Sequence, residues 1–192
     1  MRAATTITWQ EFLVAGEEGQ RWEWVDGEVE FMSPVNLRHE RFLVRFLGYL
    51  DRFCRANPEW MAFASNGVFT MRSTNWRMPD ASLVRSDRFP EGKIPVKADF
   101  APDVAFEILS PSDSPSQIQR KRLDYQQSGV IQVWFDLEKR LVELICPDRP
   151  LQYFHEDQVL TLDAVPGFSL DLKDLFFDLT RLRKSEPARS AL

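Results

Sequence analysis

Along residues 35–56 the apolar positions Phe42, Leu43, Phe46, Leu47, Leu50 and Phe53 recur at spacings of three and four. That period gathers side chains on one face of an α-helix, so the stretch is expected to be an amphipathic helix, opened by Pro34 and followed by Pro58. Ahead of it, Thr8 followed three residues later by Glu11 has the form of a capping box, which predicts a short helix ending near Gly16 or Gly19. Between the two helices, residues 21–31 are rich in Trp, Val and Phe and are broken by Asp26-Gly27. This dipeptide favours a two-residue turn, and two short antiparallel strands are expected around it.

Strand-like runs follow at residues 61–64, 68–71, 81–84 and 104–109, separated by Asn, Gly, Pro and Ser, and they are expected to share one sheet. The serine-rich stretch 110–116 offers several N-caps for a helix over 117–127, which Gly129 should stop. Two more strands, 131–136 and 141–146, flank a polar turn at 137–140, and a further hairpin is expected around His155-Glu156-Asp157. The succession of helix, strands, helix, strands, helix, strands predicts a mixed α/β or α+β sandwich. Residues 1–182 are read as one domain, and the tail from Arg183 is expected to fray.

The composition agrees with one core: 192 residues with 44% hydrophobic and 28% charged residues suit a globular domain rather than a disordered chain. No apolar run approaches the roughly 18 residues that span a bilayer, and the first residues lack the apolar region of a signal peptide, so a cytoplasmic location is expected. A net charge of −5 argues against a protein that coats nucleic acid indiscriminately, while carboxylates gathered around a cation would themselves contribute to it. Cys54, Cys146, His39 and His155 lie far apart, without the spacing of a zinc knuckle, and the two thiols are expected to be buried. Nothing resembles a nucleophilic triad, and no glycine-rich loop of a nucleotide-binding type is present.

Two carboxylates draw attention. Asp80, in Pro79-Asp80, precedes one expected strand, and Glu107 lies near the end of another. At neighbouring strand ends they could hold one hard divalent ion, which binds through one or two carboxylates with water and phosphate completing its shell. The alternative is that both are ordinary solvated strand termini. Asp103 shares a strand face with Glu107 but stands roughly 13 Å from it at strand rise, too far to share an ion, so Asp80 is the better partner. Asp103, Ala105, Glu107 and Leu109 alternate with Val104, Phe106 and Ile108, and the carboxylate face therefore needs polar company.

Lys121 falls on the helical stripe of Ile118, Arg122 and Tyr125. If that stripe faces the sheet, Lys121 either snorkels to the edge or meets a buried carboxylate such as Glu107. Beside a metal, an inward lysine could orient the attacking water and counter charge on the transition state. Arg120 and Arg122 are read as solvated, facing phosphate or water. Glu23 lies opposite Trp22 and Trp24 on its strand, either a third acidic group or an exposed residue. His39 lies near the buried side of its helix, as a core histidine or as part of a site.

These pieces together resemble the Uma-two family, a branch of the PD-(D/E)xK superfamily of nucleases. The resemblance spans nearly the whole chain. It is carried by residues 21–28 (RWEWVDGE), Ser33-Pro34, His39, Pro79-Asp80, residues 102–112 (PDVAFEILSPS), Lys121 through Tyr125, residues 129–136, and residues 166–170 (PGFSL) followed by Asp174-Leu175-Phe176. The resemblance implies a restriction-endonuclease-like core, a central mixed sheet between helices with additional hairpins. It also implies a catalytic set of Glu23, His39, Asp80, Glu107 and Lys121, a magnesium ion (or manganese in its place) on Asp80 and Glu107, DNA as substrate and a homodimer. One position departs from the superfamily pattern. The lysine usually lies two residues after the second carboxylate, where this chain has Leu109, and Lys121 from the next helix would replace it. The rival class is a catalytically silent DNA-binding or regulatory module that keeps the fold.

Overall fold

The computed structural model describes residues 8–15, 22–32 and 36–177. In chain order its elements are α1 (Trp9–Ala15), β1 (Trp22–Val25), β2 (Glu28–Phe31), α2 (Leu37–Ala56), β3 (Trp60–Ala64), β4 (Phe69–Thr70), β5 (Trp76–Arg77) and β6 (Ala81–Arg85). After two 3₁₀ turns come β7 (Val104–Ile108), α3 (Pro115–Gln127), β8 (Ile131–Asp136), β9 (Leu141–Ile145), β10 (Gln152–His155), β11 (Val159–Thr161), β12 (Ser169–Asp171) and α4 (Leu172–Phe177).

Local chemistry accounts for most boundaries. Thr8 and Glu11 form the expected capping box, each side chain bonding the other's backbone N–H. Asp26 and Gly27 both adopt positive φ, 52° and 87°, as a type I′ turn requires, and Val25 pairs with Glu28 across it. The long helix begins at Leu37 with Asn36 as its N-cap, the Asn36 side chain accepting from the His39 N–H at 3.0 Å. Pro34, Gly16, Gly19 and the tail from Arg183 lie outside the described residues. Replacing Asn36 with alanine should lower unfolding free energy by about 1 kcal/mol in urea titrations, the usual cost of a lost cap. An unchanged midpoint would show that tertiary contacts alone fix this helix start.

The main sheet has six strands in the order β10-β9-β8-β7-β6-β3. Only β7 and β8 run parallel, and α3 makes the crossover between them, as a parallel connection demands. A second sheet, β2-β1-β5-β4, lies beside it, and β11 pairs with β12. Two expectations are corrected here. The run at 68–71 does not join the others but supplies β4 of the second sheet, where Thr70 pairs with Trp76. The turn at 155–158 does not close a hairpin, because β10 pairs with β9 whereas β11 pairs with β12. Leu160 and Leu170, directly opposite each other, are buried in the main core, and that burial draws β11 away from β10.

Both faces of the main sheet are covered, and β7 divides its side chains between them. Val104, Phe106 and Ile108 enter the larger core with Phe42, Phe46 and Leu50 of α2 and Phe176 of α4. Ala105 enters the opposite cluster with Tyr125 of α3 and Trp134 of β8. Glu107 shares that second parity, so the strand alternation places it on the α3 side. A third cluster, Phe12, Trp22, Val68, Trp76 and Met78, fixes the second sheet. Cys54 and Cys146 are free thiols, half-buried rather than fully buried, against the larger core. Among the described residues no helix is long and apolar enough to cross a membrane.

Candidate active site

The antiparallel register of β6 and β7 sets Ala81 opposite Phe106, which brings the preceding residue, Asp80, level with Glu107. The Asp80 carboxylate spans the strands: Oδ2 accepts from the Ile108 N–H at 2.9 Å, and Oδ1 lies 3.3 Å from Nε2 of His39. Asp80 and Glu107 are each about 5% exposed, so the solvated strand-end alternative is excluded. Asp103 sits elsewhere, bonding the Arg85 N–H and pairing with Arg88.

Lys121 reaches this pair from α3. Its ammonium lies 3.0 Å from Glu107 Oε1 and 3.2 Å from Glu23 Oε1, so it faces carboxylates and does not snorkel. A Ser114 capping box with Pro115 at the first turn starts α3, and Lys121 follows two turns along the same face. Glu23, 3% exposed, also accepts from the Met78 N–H at 2.7 Å and from Arg77 at 2.8 Å. The structure thus brings together all five residues singled out in the sequence, Glu23, His39, Asp80, Glu107 and Lys121, along one cleft of about 670 Å³ counting its open mouth.

Sequence reasoning missed three members of this network. Arg77, 1% exposed, pairs with Glu23, Glu30 and Asp124. Asp124 also accepts from Asn75 and Ser73, and the Tyr125 hydroxyl donates to Glu107 Oε1 at 2.6 Å. Lys121, Asp124 and Tyr125 are spaced three and four apart, a signal for a shared helix face that included Asp124. Arg77 gave no such signal, because a two-residue strand has no readable period. Arg120 is solvated as expected, though it also pairs with Glu30, whereas Arg122 is corrected: it is half-buried, paired with Glu143 and laid over the Trp134 ring.

The electrostatics separate the carboxylates. For Asp80, burial by itself opposes ionisation, but the hydrogen bond and charge of His39, the Lys121 ammonium and the Ile108 N–H hold it below its ordinary range. Glu23 is likewise held down against burial by Lys121, Arg77 and the Met78 N–H. Glu107 goes the other way, to about 7, because burial and the nearby Asp80 and Glu23 charges outweigh Lys121 and Tyr125.

In the unfolded chain Glu107 ionises near its ordinary value of 4.5. The folded form therefore binds the extra proton between 4.5 and 7, and this contribution to stability is lost as pH rises through that window. In metal-free protein, Glu107→Gln should match wild type near pH 4.5 and exceed it by on the order of 2–3 kcal/mol above pH 7. Urea titrations across this range check it, and a gain that did not grow with pH would refute the assigned ionisation.

As donors, Asp80 and Glu107 suit a hard cation. Among the described residues no group of three or more His, Cys, Asp or Glu is placed to hold a metal ion, as a structural zinc would need; magnesium commonly binds through one or two carboxylates, with water and phosphate completing its shell. Glu107 is raised first by its burial and then by the Asp80 and Glu23 charges beside it, and a cation held at these carboxylates would favour its ionised form.

The sandwiched mixed sheet, with acidic residues at neighbouring ends of β6 and β7, defines a restriction-endonuclease-like domain. A crystal structure described as that of "a putative nuclease belonging to DUF820 from Anabaena variabilis ATCC 29413" superimposes with a TM-score of 0.78. The match covers 89% of this chain and 98% of that one at 22% identity, a likeness of fold. A search of curated proteins finds no match. The family model Uma2, described as "Putative restriction endonuclease", matches residues 9–173, and the chain belongs to that family.

Proposed function

We propose that this protein is a divalent-metal-dependent endonuclease that hydrolyses phosphodiester bonds in DNA. Asp80 and Glu107 hold magnesium, or manganese in its place, and His39 fixes the Asp80 carboxylate. Bound there, the ion would lower the pKa of a water and offset phosphate charge. Lys121 has three N–H donors, and its carboxylate contacts leave capacity to orient that water or bind a phosphate oxygen. Glu23 keeps the ammonium in the cleft. The supporting observation is the convergence on one open cleft of a lysine and three carboxylates from β1, the start of β6, β7 and α3. A structural ion pair requires two groups and no cleft.

The rival reading, a silent DNA-binding or regulatory module, draws on the doubly engaged Glu107 Oε1, which both Lys121 and Tyr125 contact. The deciding experiment incubates wild-type protein with supercoiled, linear and single-stranded DNA, with magnesium, with manganese and with chelator. Metal-dependent strand scission is expected, together with a rise in melting temperature on adding the ion. At a hundred times Kd such binding stabilises by about 2.7 kcal/mol. Thermal stabilisation without scission would favour the silent module, and the absence of both responses would sink the metal-dependent reading.

A further inference from the structure

We infer that Arg77 is a positioning residue that assigns Lys121 to Glu107 by holding Glu23 and Asp124 itself. The inference deepens the nuclease reading and rests on it. Nε and NH2 of Arg77 both lie 2.7 Å from Asp124 Oδ2, and NH1 lies 2.8 Å from Glu23 Oε2 and 3.1 Å from Glu30 Oε2. One guanidinium therefore ties β5 to β1, β2 and α3. Each tie falls beside a site residue. Arg77 stands three positions before Asp80 in the same segment, Glu23 is a site carboxylate, and Asp124 follows Lys121 by one turn of α3.

The reason for the clasp is a competition. Lys121 lies 3.0 Å from Glu107 and 3.2 Å from Glu23, nearly the same distance from two buried carboxylates. Without a second cation, Glu23 would draw the ammonium toward itself, since an unpaired buried carboxylate is costly. Arg77 supplies that second cation and, through Asp124, also fixes the turn of helix behind Lys121. A lysine in its place would keep the charge but not the fork, because a single ammonium cannot hold Glu23 and Asp124 in the same planar geometry.

The test is a double-mutant cycle on Mn²⁺ affinity, measured by calorimetry with wild type, Arg77→Lys, Lys121→Ala and the double variant, alongside single-turnover DNA cleavage. In Arg77→Lys one ammonium cannot hold both Glu23 and Asp124, so Glu23 loses part of its hold, and Lys121 moves toward it and leaves Glu107 to the ion. Mn²⁺ affinity should therefore rise about fivefold, within the coupling seen in shared networks, while cleavage falls about tenfold. In the Lys121→Ala background the same substitution should leave affinity unchanged, because Arg77 acts through that lysine.

A merely structural arginine predicts the opposite sign: affinity, cleavage and melting temperature fall together. That result, or an equal effect of Arg77→Lys with and without Lys121, overturns the inference. If Arg77→Lys does not fold, Glu23→Gln takes its place in the cycle: it removes the competing carboxylate, so Lys121 settles on Glu107 and Mn²⁺ affinity should fall, with no such effect in the Lys121→Ala background. Wild type that binds Mn²⁺ but cuts no DNA defeats the nuclease reading, and the affinity cycle still decides the positioning role. If wild type binds no Mn²⁺, both fall.

Discussion

Glu107→Ala and Lys121→Ala are each expected to reduce metal-dependent DNA cleavage by at least about 10²-fold, the loss typical when a charged or hydrogen-bonding group at the reacting centre is removed. The two should fail for different reasons. Glu107→Ala removes one of two carboxylate donors for the ion, so metal-induced thermal stabilisation should vanish with the activity. Lys121→Ala removes a cation 3.0 Å from Glu107, so the ion should still bind, and more tightly, while cleavage is lost. Single-turnover cleavage of labelled DNA, paired with melting curves in manganese, separates the cases. Retention of activity within tenfold of wild type by Lys121→Ala would remove the lysine from the chemistry and return attention to the carboxylates alone. Asp80→Ala should behave as Glu107→Ala does.

The largest effect on stability is expected at Arg77. Its side chain is 1% exposed and its partners Glu23 and Asp124 are 4% and 8% exposed, so methionine at this position would leave two carboxylates buried without their guanidinium. Breaking a buried charge network by removing one partner costs about 3–5 kcal/mol, a large share of the stability of a domain this size. Equilibrium urea unfolding would measure it. The double variant Arg77→Met with Asp124→Asn should recover part of the loss, since it removes one stranded charge. A loss below about 1 kcal/mol, the level of a surface ion pair, would mean that water or Lys121 compensates Glu23 and that the clasp is weak.

How far the sequence could be read depended on whether a feature was local. The α2 helix was legible from its period because six apolar side chains had to share one face, and the Asp26-Gly27 turn because few residue pairs accept positive φ twice in succession. The alternation in β7 showed that Glu107 must face away from Phe106 and Ile108, and the helical stripe through Lys121 pointed it toward that same side. Both inferences used only the geometry of one element. Pairing was harder: β11 follows a turn from β10 as a hairpin strand would, yet it pairs with β12 because Leu160 and Leu170 are buried together.

By itself, then, the sequence determined α1, α2 and α3, most strands, the family resemblance and the five residues of the cleft, since each rests on short-range periodicity or on a motif written in consecutive residues, whereas the six-residue α4 was too short to show a period. Only the tertiary structure decided the register that sets Asp80 level with Glu107, the division of Lys121 between two carboxylates, and the buried role of Arg77. Those features depend on distances between residues 14 to 98 positions apart in the chain, from Lys121 with Glu107 to Lys121 with Glu23. The energies that matter there, desolvation and Coulomb attraction, are set by burial and ångström-scale separation, which no local pattern encodes.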